Sequence, residues 1–137
     1  MIRSVPALLV LALGAACSPE AGERAVPPTG QVAYLRHCAS CHGSEGRGDG
    51  PVAASLARLP SDLTRIAQRN GGRFDESAVM AFIDGERVVA EHGPRDMPVW
   101  GAAFQREHSA RKEPWPAYIA LLEVRSLVDY LRSIQEP

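Results

Sequence analysis

Two thiols and an imidazole at fixed spacing constrain this chain more than any other feature. They are Cys38-Ala39-Ser40-Cys41-His42. Residues three apart stand about one helical turn from each other, so both thiols can reach one flat ring. His42 follows directly and can ligate a metal at the centre of that ring. The run C-x-x-C-H marks covalent attachment of a c-type haem, with one thioether from each cysteine to a vinyl group. One turn of backbone thereby fixes a macrocycle and one axial ligand. The rest of the chain must then supply a pocket and a second ligand.

The chain has 137 residues, enough for one domain. It is 45% apolar, as a folded chain should be, but only 6% aromatic. A core built from it needs aliphatic side chains or a large buried cofactor. The formal net charge is −1, with no large block of one sign. No electrostatic footprint for nucleic acid is present, and none is expected as a partner.

The first residues read as an export signal. Arg3 is a short positive region, and Val5 to Leu13 form an apolar run too short to span a bilayer as a helix. Gly14-Ala15-Ala16 then precede Cys17, like the cleavage site of a bacterial lipoprotein, although such sites usually carry Leu where Gly14 stands. Residues 1–16 are thus expected to be a signal peptide. The alternative is ordinary cleavage near Ala16, leaving Cys17 a plain thiol. Loss of Arg3 with the leader takes the net charge from −1 to −2. Residues 17–29, with Pro19, Pro27, Pro28 and Gly22, read as a flexible linker carrying Cys17 as the candidate lipid anchor. The expected location is the periplasmic side of a bacterial membrane, lipid-anchored or else soluble.

The folded domain is expected over residues 30–137. A helix over Gln31–Ala39 leads into the haem motif. Gly43, Gly46, Gly48 and Gly50 make a loop closed by Pro51, and Val52–Leu59 is a short helical piece ended by Pro60. Ser61 or Asp62 caps a turn carrying Leu63 and Ile66. Asp75 is the expected N-cap of a helix through Ile83, with Val79, Phe82 and Ile83 on one face and Gly85 as its stop. Residues 85–117 read as loop, with Val88-Val89-Ala90 the only extended hint. A final helix spans about Ala117–Ile134, where apolar residues recur at three- and four-residue steps. No strand pattern stands out. The fold class is all-α, with three to five helices and long loops around one haem.

The second axial ligand should be His or Met. Met1 leaves with the leader, and Met80 sits among apolar neighbours as a core residue. Met97 lies in Arg95-Asp96-Met97-Pro98, where the proline holds the residue before it extended. A thioether is a soft ligand that suits Fe(II) and raises the reduction potential. Met97 is the expected ligand, with His92 as its rival. His37 is expected to point away from the ring onto the surface, and His108, in a polar run, to be exposed. The other nitrogen of His42 needs an acceptor, for which the carbonyl of Pro51 is the candidate. Arg87, His92, Arg95 and Trp100 are candidate donors to the haem propionates, with Trp100 equally a pocket wall.

These motifs resemble a class I, single-haem c-type cytochrome over about residues 30–134. Cys38-Ala-Ser-Cys41-His42 and Met97-Pro98 stand in that family's order, and Gly46–Pro51 resembles its loop beside the ligand His. Gly30 and Tyr34 resemble the glycine and aromatic of its first helix. Leu127 and Tyr130 resemble the pair on the last helix that crosses the first. The resemblance implies a cytochrome c-like fold, one covalent haem c, and axial ligands His42 and Met97. It implies a one-electron carrier rather than an enzyme, since filled axial positions leave no room for substrate. It implies transient docking to redox partner proteins, as a monomer or as a subunit of a larger oxidase, denitrification or sulfur-compound dehydrogenase complex. A polar stretch over Ala102–Pro116 is longer than that family leads one to expect. A haem-free module, with Cys38 and Cys41 as a redox disulfide or two zinc ligands, is the remaining class. It lacks a βαβ pattern and an obvious set of four ligands.

Overall fold

A computed structural model of the protein describes Met1, residues 30–85 and residues 97–137. The leader, the linker with Cys17, and Arg87, Val88-Val89-Ala90, His92 and Arg95 lie outside the described residues. Six α-helices are present among them: α1 (Gly30–His37), α2 (Ala39–His42), α3 (Ile66–Arg69), α4 (Glu76–Asp84), α5 (Trp100–Ala110) and α6 (Pro116–Ser133). Two of these, α2 and α3, are single turns, and two 3-10 turns cover Ala53–Ser55 and Leu63–Arg65. The described residues contain no strand. The all-α class holds.

The stripe read from the sequence organises the core. Ala120, Val124, Leu127, Val128 and Leu131 are buried along α6. Each buried Val or Leu contributes about 1.5–3 kcal/mol over its exposed state. Helix α6 starts at Pro116, whose missing N–H costs nothing in a first turn. Helix α1 crosses it, with Ala33 and Tyr34 buried at the contact. The crossing needs a glycine. A Cβ on Gly30 would run into the Ser126 carbonyl and come within 2.9 Å of the Tyr130 Cβ. The rings of Tyr34 and Tyr130 lie 5.1 Å apart beside it.

Helix α4 begins and ends as its sequence dictates. The Asp75 carboxylate accepts from Ala78 N at 3.0 Å, and Gly85 closes the helix at φ 88°. Asp62, rather than Ser61, caps the 3-10 turn, accepting from Thr64 N at 2.9 Å. Residues 100–110 correct the expectation of a loop. They form α5, whose buried positions Phe104 and His108 stand one turn apart with half-buried Trp100 one turn before. The helical face was hidden because one of its inward positions is a histidine. Most of the polar stretch over Ala102–Pro116 is this helix.

Candidate haem site

The glycine-rich loop after His42 exists to finish a single helical turn. A four-residue helix leaves nearly all its carbonyls without partners. Here Gly48 N–H donates to His42 O at 2.8 Å, Gly50 N–H to Cys41 O at 3.1 Å, and Val52 N–H to Ser40 O at 3.1 Å. A side chain on Gly50 would collide with the Ser40 and Cys41 backbone, so only glycine allows the loop this close. The Tyr34 hydroxyl, 0% exposed, reaches across from α1 and donates to Gly43 O at 2.6 Å. Burial raises the Tyr34 phenol far above its ordinary value, so it stays a donor.

The His42 ring is partnered by Ser61, not Pro51. Its Nδ1 lies 3.0 Å from Ser61 O, and Pro51 is exposed. The reason is the loop itself. Gly50 and Val52 are bonded to the α2 backbone, which lays Pro51 along that helix, and the next segment, Pro60-Ser61, passes the ring. Nδ1–H donating to a carbonyl leaves Nε2 with its lone pair for a metal. Burial holds the His42 imidazole below its ordinary value, against the pull of the Ser61 carbonyl. Ligation requires that neutral form.

Cys38 and Cys41 are free thiols, both half-buried. Burial, reinforced by the neighbouring Cys41, pushes the Cys38 thiol up to about 12. Two cavities meet at this motif. The larger, about 550 Å³, has Cys38, His42, Met97 and Trp100 on its wall, together with aliphatic side chains such as Ile66 and Leu131. The smaller, about 240 Å³, is bordered by Cys38, Cys41, His42, Met97 and Trp100 as well. The larger falls within the ~300–1,000 Å³ typical of ligand pockets. A haem fits the donor set: two thiols, a neutral imidazole and a thioether on shared walls, and an apolar lining that excludes water. Among the described residues no three His, Cys, Asp or Glu side chains group together to hold a metal ion by themselves.

The sequence-predicted residues divide clearly. Cys38, Cys41, His42, Met97 and Trp100 are brought together. Met80 packs against the hydrophobic core. Arg95 lies outside the described residues, and Pro51 is elsewhere. Three residues escaped the sequence reading: Ser61, and Arg69 and Asn70, which give the larger cavity polar wall away from the cysteines. Asn70-Gly71-Gly72 signals a turn, and a turn at a pocket mouth is where such groups belong.

Covalent attachment by two thiols to a ring ligated by the adjoining histidine defines a c-type cytochrome. Residues 25–111, more than half of the chain, match the family described as cytochrome c oxidase, cbb3-type, subunit III, and the chain belongs to that family. It carries covalently bound haem c and transfers electrons. No curated protein and no solved structure gives a significant match.

Proposed function

We propose that the chain is a class I, single-haem, one-electron carrier whose iron is held between His42 and Met97. One observation carries this reading: Met97 and His42 border the same two cavities as Cys38. Haem c supplies the Fe(III)/Fe(II) couple when bound. The chain's own residues do the rest. Cys38 and Cys41 anchor the ring, Ser61 orients His42, and Met97 offers the soft ligand that raises the potential. Trp100, Ile66 and Leu131 keep water out. With His42 and Met97 both holding the iron, the domain would act as a carrier and not as an enzyme in its own right. Residues 1–16 are a leader and 17–29 a tether, with lipid on Cys17 holding the domain at the periplasmic face of a bacterial membrane.

The test is spectroscopic. Protein matured with haem-attachment machinery keeps its colour through acid-acetone extraction, and Met97→Ala removes the weak near-infrared band of Fe(III)–thioether ligation. Met80→Leu leaves that band in place. An unchanged band in Met97→Ala removes Met97 from the iron. A second reading is favoured by the family match: the domain is the electron-transfer subunit of an oxidase complex. Co-purification with oxidase subunits from native membranes supports that arrangement over a free shuttle.

A further inference from the structure

We infer that His37 binds a proton when the protein is reduced, making electron transfer here proton-coupled. The inference rests on the haem c reading of the same cavities. The Nε2 of His37 is buried and has no hydrogen-bond partner, the sole side-chain nitrogen or oxygen in that state among the described residues. Such orphans are rare in folded proteins and call for an explanation. The ring borders the smaller cavity together with Cys38, Cys41 and His42. It is fixed there by Trp100, with centroids 5.4 Å apart, and by Phe104 at 5.1 Å.

Three of the charged groups around it are already engaged. Arg36, on its own helix, pairs with Glu107 of α5 at 3.1 Å. Glu123 of α6 accepts from His108 at 2.9 Å. Arg58 borders the same cavity. Glu107 and Glu123 therefore favour a proton on His37 without bonding its Nε2. Burial is the larger influence and holds the imidazole below its ordinary value. A ring with an unpartnered basic nitrogen thus stands in the wall of a site whose charge falls by one on reduction. Added negative charge nearby favours the protonated ring. The balance is simple: one electron arrives from the redox partner and one proton passes from water to Nε2, and both leave on oxidation.

His108 offers the contrast within the same molecule. Its Nε2 is committed to Glu123, and its Nδ1 lies 2.9 Å from Glu113 and 2.9 Å from Arg111. That ring is tied into the scaffold, whereas the Nε2 of His37 has no partner.

The experiment is the reduction potential of the holoprotein across pH 5 to 9, for the native chain and for His37→Gln. The native potential should fall with rising pH over one window, approaching the 59 mV per unit that a tenfold change in proton activity gives a one-electron couple. His37→Gln should be flat there. NMR titration of the native His37 ring should give a higher midpoint in the reduced protein than in the oxidised, a readout that needs no variant to fold. Equal midpoints in both states, or a slope that survives in His37→Gln, overturns the inference. A protein that loses its colour to solvent overturns instead the haem reading beneath it.

Discussion

Helix α6 is gripped from two sides, by opposite means. Against α1 the joint is one of shape: no side chain at Gly30, and two tyrosine rings packed at a 45° tilt beside the gap. Against α5 the joint is one of charge. His108 is 4% exposed and Glu123 5%, and the two are bonded at 2.9 Å beneath Arg111 and Glu113. A shape joint fails when something is added. A buried charge joint fails when something is taken away, because the remaining partner is stranded without solvent.

The largest effect should come from breaking the charge joint on one side. His108→Ala strands the Glu123 carboxylate and should cost about 3–5 kcal/mol in urea unfolding. Replacing both partners, as His108→Leu with Glu123→Leu, should recover most of that loss; no recovery would mean that the histidine acts through packing alone. Next is the shape joint. Gly30→Leu should cost about 3 kcal/mol through overpacking against Ser126 and Tyr130, read from the same unfolding curves. Tyr34→Phe keeps the ring but removes the short buried bond to the Gly43 carbonyl, which is left with only the 3.2 Å bond from Gly46 N–H. It should cost about 1–2 kcal/mol, and Tyr130→Phe, which bonds no loop, should cost less. Asp75→Asn lies in neither joint and sharpens the comparison as a control. Bonds from Ala78 N–H and Ser77 hold the Asp75 carboxyl below its ordinary value. A group lowered in the folded state stabilises above its unfolded value, near 3.9, and loses that contribution as pH falls through the folded one. The variant should therefore lose less stability than the native chain between pH 5 and pH 2, with the smallest difference of the set at pH 7.

The two joints also differ in how far the sequence disclosed them. Gly30, Tyr34, Leu127 and Tyr130 are legible through the resemblance of their positions on the first and last helices to those of c-type cytochromes. The attachment turn and Met97 are legible because their chemistry is rare. His108 was misplaced on the surface because its polarity argues for water, and only its fold-specific partners Glu113 and Glu123 reverse that. Helix α5 was lost with it, since its apolar stripe reads as broken at that position. Ser61 replaced Pro51 because the choice between two carbonyls depends on how a loop lies, which no spacing encodes. His37, expected outside because it directly precedes Cys38 and should point away from the ring, is covered instead by Trp100 and Phe104, more than sixty positions away.

The last residues have a practical consequence. The Gln135 side chain accepts from Ala67 N at 2.9 Å and donates to Leu63 O and Leu131 O, while Glu136 N–H donates to Thr64 O at 2.8 Å. Leu63, Leu131 and Ile66 all border the larger cavity. One wall of the cofactor chamber is therefore laced together by Gln135 and Glu136. Removing Gln135 and Glu136 would undo this lacing and loosen the chamber wall.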